Sequence, residues 1–344
     1  MYRFLYTEQN NEKATDFETK ALLYLLSMRD DSNEIELFII DCFNDVTGAD
    51  TNINKLWDLQ SKGVKSLNPK KIGISLVTLF ENYLSPLSFN SFIFFFPKLN
   101  EIYFKDISAE VFGIDNFHEK YMKKILQGLK EEYLRRNPKS EIMNIDSEIS
   151  TFLDNVSFVI ASENKSDYIK SIIGGKKSFD KKNKFFDSIF DEIRNKQSAL
   201  KNTSIHRKQI EHPRDVLDFN KHLTKKEIEM LVVNRIIGIE IFKFAIPISF
   251  NNIIRSYSED AIRDVIQESN AELSLLLFNN NNKNSFWTFF ELVYNFSKEN
   301  ISMTVEEIYN SICEEKTVIN IRIKEMSIKY FISLVKEGVM NENS

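Results

Sequence analysis

The stretch Ile35-Glu-Leu-Phe-Ile-Ile-Asp-Cys-Phe-Asn-Asp-Val-Thr-Gly48, followed by Leu56-Trp-Asp-Leu-Gln-Ser-Lys-Gly63, decides the fold of the first part of this chain. The run from 35 to 40 is apolar and typical of a strand, and the second stretch alternates around Trp57 and Leu59. An acidic residue, Asp45, leaves the first strand, and a Gln-x-Lys tripeptide begins fifteen residues later on the next. We therefore predict two neighbouring strands with polar residues at one edge of a sheet.

Three of these polar side chains are expected to converge. Gln60 and Lys62 are two positions apart, so they share one face of a pleated strand, and Asp45 lies on the adjacent strand. A carboxylate holds a hard divalent cation, an amide oxygen adds a neutral ligand, and a lysine orients or deprotonates the attacking water. The pattern indicates a site for metal-assisted phosphodiester hydrolysis, with Asp45 and Gln60 as the metal ligands.

This layout resembles the PD-(D/E)xK nuclease superfamily, in the variant where glutamine replaces the second acid. It is most similar to the double-stranded-DNA endonuclease domain of bacterial anti-phage systems, the family named after the endonuclease associated with CD-NTase signalling enzymes. Three further segments match in order: an opening helix from Asp16 to Met28, a buried strand from Ser91 to Phe96, and a closing segment from Phe152 to Val159. The resemblance covers residues 10 to 175.

The resemblance implies a mixed sheet flanked by helices, Mg²⁺ or Mn²⁺ as cofactor, and double-stranded DNA as substrate. It gives catalytic roles to Asp45, Gln60 and Lys62, and it adds Glu18 of the opening helix as a metal-binding or water-positioning residue. As an alternative, Glu18 is an ordinary residue on the surface of its helix.

Two departures from the family pattern weaken the predicted metal site. Phe17-Glu18 stands where many relatives carry Tyr-Gln, and Asn44 stands at the first position of what is usually an acidic doublet. Fewer charged ligands mean weaker metal affinity unless Glu18 or Asp41 joins the site. Taken alone, however, Asp41 and Asp58 are expected to be solvated residues at strand ends.

Composition predicts a second, helical part of the chain. Only 9 Gly and 6 Pro occur among 344 residues, which favours long helices over a sandwich or barrel. We predict a nuclease domain over 1–175 and a helical regulatory or docking domain over 176–344. Its expected helices span 183–198, 224–243, 258–278, 285–298, 304–315 and 318–337.

The sequence also predicts where the protein works. Cys42 and Cys313 form neither a disulfide framework nor a zinc-binding spacing, and Cys42 is expected to be a small buried hydrophobe. The longest apolar run, 236–248, is broken by Glu240 and Lys243, so no membrane span is expected. Since the beginning of the chain also lacks an export signal, a cytoplasmic location is predicted.

Charge is unevenly distributed in a chain with a net charge of −5. Residues 165–209 hold twelve basic and five acidic residues, with phenylalanines interleaved. Such a tract could neutralise DNA phosphates. The favoured alternative is a solvated helix face, because Phe186 and Phe190 have the four-residue spacing of a core stripe.

These observations lead to one principal functional hypothesis. The chain is expected to be a metal-dependent DNA endonuclease of an anti-phage or anti-plasmid defence complex, held inactive by a partner ATPase and self-associating on activation. Lamassu-type complexes with an SMC-like ATPase are the first expected setting, and a HerA-like ATPase is the second. The alternative is a degenerate nuclease fold that serves only in DNA binding or assembly, as the reduced acid count at Asn44 and Gln60 indicates.

Overall fold

The computed structural model describes residues 1–4, 15–139, 144–175, 177, 179–202, 205–206, 208–242, 246–279, 281, 283–314 and 323–342. The chain divides into two compact units, each formed from two separate stretches. The sheet unit comprises Met1–Tyr168 and Phe190–Lys225, and the helical unit comprises Ile169–Ile189 and Lys226–Ser344. The division into a nuclease domain over 1–175 and a docking domain over 176–344 stays a prediction.

Within the described residues, the sheet unit contains a seven-stranded mixed sheet of order β6-β7-β5-β4-β3-β2-β9. Strands β4, β5 and β7 are parallel, and the remaining neighbours pair antiparallel. A separate antiparallel pair joins β1 to β8. The strands are β1 (Tyr2–Arg3), β2 (Leu37–Ile40), β3 (Val46–Ala49), β4 (Leu56–Ser61), β5 (Ser91–Phe96), β6 (Val111–Phe112), β7 (Val156–Ile160), β8 (Gln209–Ile210) and β9 (His222–Thr224).

Helices flank this sheet, which confirms the expected mixed α/β class with a sheet between helices. Those in or entering the sheet unit are α1 (Asp16–Ser27), α2 (Pro69–Ser75), α3 (Val77–Tyr83), α4 (Glu119–Arg136), α5 (Ile145–Asp154), α6 (Lys165–Ile172) and α7 (Asn183–Ala199). Helices α2 and α4 cross at two glycines. A Cβ on Gly73 would lie 1.9 Å from the carbonyl oxygen of Ile125, and one on Gly128 would lie 2.2 Å from that of Lys70, so only glycine fits there.

The central strands are buried on both faces, which explains the continuous apolar runs of β2 and β5. On β5, Phe94 and Phe96 belong to the core formed with α2 to α5. The intervening Phe95 packs its ring against Phe17 and Tyr24 of α1 on the other face. The predicted helix 16–28 and strand 91–96 are thereby confirmed, and the predicted strand 35–40 is observed from Leu37 to Ile40.

The helical unit is built around its last helix, α13, which is buried along most of its length. A Cβ on Gly338 of α13 would lie 1.9 Å from the carbonyl oxygen of Ile237, so this glycine also permits a close backbone approach. The helices of this part of the chain are α8 (Lys225–Ile237), α9 (Asn251–Ile254), α10 (Glu259–Phe278), α11 (Lys283–Glu299), α12 (Val305–Glu314) and α13 (Glu325–Glu342).

Most helix expectations agree with these bounds, and two differ. The helix expected over 224–243 ends at Ile237, because Gly238 adopts a left-handed φ of 83°; Lys243 lies outside the described residues. The last helix, expected over 318–337, is observed from Glu325 to Glu342. Residues 318–322 lie outside the described part, as does residue 315 of the helix expected over 304–315.

The region expected to be almost wholly helical also supplies a strand, because β9 pairs with β2 at the edge of the sheet. In the basic tract, Phe186 and Phe190 are fully buried, which confirms the expected core stripe; Lys176 lies outside the described residues. None of the described helices combines the length and apolar character that crossing a bilayer requires.

Candidate functional site

Strand register brings Asp45 and Gln60 together. Val46 of β3 is paired with Leu59 of β4, so Asp45, which immediately precedes β3, lies beside Gln60. The Asp45 Oδ2 atom accepts three hydrogen bonds: from Gln60 Nε2 at 2.8 Å, from the Ser61 amide at 2.8 Å and from Ser61 Oγ at 2.7 Å. The carboxylate is therefore anchored to the end of β4 through one of its oxygens.

The Gln60 amide is oriented by its neighbours. Its nitrogen faces two acceptors, Asp45 Oδ2 and the Ser61 carbonyl oxygen at 3.3 Å. The opposite orientation would set its oxygen against both acceptors, so the amide donates to Asp45 in this structure. The role of Gln60 as a metal ligand stays a prediction.

An open pocket of about 640 Å³ lies at this edge of the sheet. Three of the four proposed site residues line it: Glu18, Asp45 and Lys62; the fourth, Gln60, is 4% exposed and contributes through its contact with Asp45. Lys62 directly follows β4 and its amide bonds to the Phe95 carbonyl oxygen of β5. The remaining lining residues are Thr15, Asp16, Phe17, Lys20, Ser61, Gly63, Val64, Glu163 and Lys165.

Glu18 occupies the wall of the pocket because it caps helix α1. Its Oε2 atom accepts from the Thr15 amide at 2.9 Å, while the Thr15 hydroxyl accepts from the Glu18 amide at 3.2 Å, a reciprocal capping box. The same Oε2 also accepts from Lys201 Nζ at 3.0 Å. A capping pattern that is local in sequence thus fixes where the second carboxylate of the pocket lies.

The pocket carboxylates interact electrostatically. Burial raises the pKa of Asp45 to about 6; the Lys62 ammonium opposes this effect, and the negative charge of Glu18 adds to it. An Asp45 with this pKa is ionised at neutral pH and protonated in mild acid. The site is therefore one in which bringing in a positive charge would be favourable.

Asp58 lies deeper on β4, and here the expectation of a solvated strand end is wrong. Its side chain is completely buried and accepts from Asn82 Nδ2 at 2.6 Å and from Thr47 Oγ1 at 3.2 Å. Burial raises the pKa of Asp58 to about 7, and the bonds from Asn82 and Thr47 oppose that effect. The two-residue alternation places Asp58 on the same strand face as Gln60, but it does not show that this face is buried.

Asp41 lies in the turn after β2 with a left-handed φ of 54°. Its carboxylate is half-buried and forms an ion pair with Lys221 at 3.5 Å. Burial raises its pKa, while Lys201 and Lys221 oppose the rise. Asp41 does not line the pocket, so of these two acids only Glu18 shares the pocket with Asp45.

The donor chemistry of the pocket fits a hard divalent cation. No cluster of three His, Cys, Asp or Glu side chains suited to a metal occurs among the described residues. Mg²⁺, however, commonly keeps several waters and uses one or two carboxylates, which Asp45 and Glu18 can supply. The charged lining residues are nearly balanced, with four acidic and three basic side chains: Asp16, Glu18, Asp45 and Glu163 against Lys20, Lys62 and Lys165. Because Asp16 is paired with Lys165 and Arg194, the fit to a cation depends on Asp45 and Glu18 and not on the net charge of the lining.

Cys42 is buried as expected, and burial raises the pKa of its thiol to about 12, so it is an inert packing residue. Sequence reasoning missed two other polar groups of the site. Ser61 is the middle residue of the Gln-x-Lys tripeptide, and Lys201 is 183 residues from its partner Glu18.

Comparisons with known proteins give no assignment: no protein-family model, curated protein or solved structure matches this chain.

Proposed function

We propose that this chain is a metal-dependent DNA endonuclease that acts in an anti-phage or anti-plasmid defence complex. The observation that carries the proposal is the convergence of Asp45, Glu18 and Lys62 around one open pocket, with Gln60 bonded to Asp45. Two carboxylates and an ammonium around one pocket are the groups that metal-assisted phosphodiester hydrolysis uses.

In this proposal Asp45 and Glu18 hold Mg²⁺ or Mn²⁺, with Gln60 as the further ligand expected from the nuclease resemblance. The cation would polarise the phosphoryl oxygen and lower the pKa of a bound water. Lys62 orients the attacking water or takes its proton. Ser61 and the backbone at the end of β4 hold Asp45 in place while the substrate binds.

The direct test is cleavage of supercoiled plasmid by the purified full chain with EDTA, Mg²⁺ or Mn²⁺. The proposal requires nicked and linear DNA with the divalent ions and intact plasmid with EDTA. Intact plasmid with both ions, from protein that is folded and shifts DNA in a gel, would support the second candidate instead.

That second candidate is a nuclease-like DNA-binding or assembly subunit without catalysis. It is favoured by the amides at Asn44 and Gln60, positions at which the resembling family carries or tolerates acids. It is also favoured by the orientation of the Gln60 amide. The nitrogen faces Asp45, and an N–H donor does not coordinate a cation.

Control by a partner is the second part of the proposal: the helical unit docks an ATPase, SMC-like or HerA-like, that restrains the nuclease and its self-association. A deletion of 180–344 would remove β9, Arg194 and Lys201 from the sheet unit, so it would damage the nuclease itself. A chain ending at Lys225 keeps both stretches of that unit. Co-expressed with its genomic neighbours, the shortened chain should fail to join the complex; incorporation equal to that of the full chain would contradict docking through residues 226–344.

A further inference from the structure

Lys201 is a buried lysine outside the region that the nuclease resemblance covers. It lies in a short 3₁₀ helix, Leu200–Asn202, directly after α7. Its side chain is only 6% exposed, and its ammonium forms an ion pair with Glu18, whose side chain is 14% exposed, at 3.0 Å. A buried ammonium without an opposite charge nearby would destabilise the fold. The burial of Lys201 therefore depends on its contact with Glu18.

The contact holds one particular atom of Glu18. Among the described residues, two donors reach this carboxylate, the Thr15 amide and Lys201 Nζ, and both bond to Oε2. Asp45 is held in the same way, since the three donors that the described residues supply to it bond to Oδ2. In each case the anchoring leaves the second oxygen, Glu18 Oε1 or Asp45 Oδ1, outside these contacts.

We infer that Lys201 is a positioning residue: by holding Glu18 Oε2, it directs Oε1 toward a divalent cation in the pocket. This inference rests on the proposed function, and it adds to the site a residue from the second chain stretch of the sheet unit. Lys201 does not line the pocket, so it acts through Glu18 and not on the ligand. Groups that orient metal ligands in this way commonly change metal affinity by about 10- to 100-fold.

The direction in which cation affinity changes when Lys201 is replaced separates positioning from simple electrostatics. Removing a positive charge close to a cation site would by itself strengthen cation binding, because like charges repel. Removing an anchor of Glu18 weakens binding, because the carboxylate must then be ordered when the cation arrives. Lys201→Met deletes the charge and the hydrogen bond while keeping an unbranched apolar side chain.

The experiment is calorimetric titration of the full chain with MnCl₂, for wild type, Lys201→Met, Lys201→Arg and Arg136→Met. Lys201→Met should bind Mn²⁺ about tenfold more weakly, and Lys201→Arg, which keeps the charge and the donor, should restore most of the affinity. Arg136→Met removes two partly buried ion pairs away from the pocket, with Glu81 and with Glu132, each at 3.1 Å, and should leave Mn²⁺ binding unchanged. Unchanged or tighter binding by Lys201→Met would overturn the inference.

A metal-free readout separates this inference from the proposed function. Wild type that binds Mn²⁺ but does not cut plasmid would refute the nuclease proposal alone. Crystal structures of wild type and Lys201→Met without metal then decide about Lys201: Glu18 should adopt several conformers in the variant, and a single unchanged conformer would refute positioning. If Lys201→Met does not fold, as judged by circular dichroism, Lys201→Leu, which also lacks the charge and the donor, takes its place with the same expected directions.

Discussion

The sheet unit and the helical unit hold their buried carboxylates in different ways. In the helical unit, the buried carboxylate of Glu229 is paired with the ammonium of Lys283. In the sheet unit, Asp45 and Asp58 are held mainly by amides and hydroxyls. An ion pair neutralises both of its charges, whereas a carboxylate held by neutral donors keeps a negative charge with which a ligand can interact. This difference favours the sheet unit as the place of the proposed chemistry.

The largest expected effect comes from Asp45. Asp45→Ala should lower divalent-dependent DNA cleavage about a thousandfold, because a metal site supplies several kcal/mol of transition-state stabilisation. Asp180→Ala removes an exposed carboxylate paired with Lys298 in the helical unit and is the matched control. The rates are measured on supercoiled plasmid. Cleavage by Asp45→Ala at the wild-type rate would contradict the proposal that the sheet unit carries the chemistry.

The pH dependence of stability should come next. The folded protein keeps a proton on Asp58 up to about pH 7, whereas the unfolded chain releases it near 3.8. The folded state thus binds more protons in this interval, so stability falls as pH rises from 5 to 7. The expected loss is on the order of 3 kcal/mol, at about 1.4 kcal/mol for each pH unit. Urea unfolding of wild type and Asp58→Asn measures it; an equally steep decline in the variant would refute the assignment.

Lys62 should have a smaller effect on cleavage than Asp45. Lys62→Ala should reduce the rate about a hundredfold, since general acid–base groups contribute roughly 100- to 10,000-fold. Lys65, three residues on, is mostly exposed and serves as the control, because Lys65→Ala removes the same charge from the same loop. Equal losses in the two variants would show that Lys62 acts only through surface charge.

Two glycines test whether the units fold separately. Gly73→Ala should destabilise the sheet unit by about 2 kcal/mol, because a Cβ meets backbone that cannot move aside. Gly338→Ala should do the same to the helical unit, through Ile237. Thermal unfolding and plasmid cleavage are measured together. Loss of cleavage in Gly338→Ala below its unfolding midpoint would mean that the sheet unit depends on the helical unit for its activity.

Gln60 should give the smallest change. Gln60→Glu should retain cleavage within about tenfold of wild type, because a second acid at this position is a normal ligand for a hard cation. Gln60→Leu, which has neither donor nor oxygen, is the comparison. A glutamate variant as inactive as the leucine variant would show that donation to Asp45 is the essential role of Gln60.

Local patterns account for the elements that were predicted well. Helix α1 follows from its capping box and apolar periodicity, and β5 follows from an uninterrupted aromatic run. The contact between Asp45 and Gln60 was also predictable, because the two residues are only fifteen positions apart and lie on neighbouring strands. Each of these predictions depends on neighbours close in sequence.

The sequence by itself therefore determined the α/β class, the first helix and the contact between Asp45 and Gln60. Tertiary structure alone decided that Asp58 is buried, that β9 completes the sheet edge, and that Lys201 reaches Glu18. The physical reason is distance along the chain. Local spacing fixes helix periodicity and strand alternation, whereas these three features depend on packing between segments far apart in sequence.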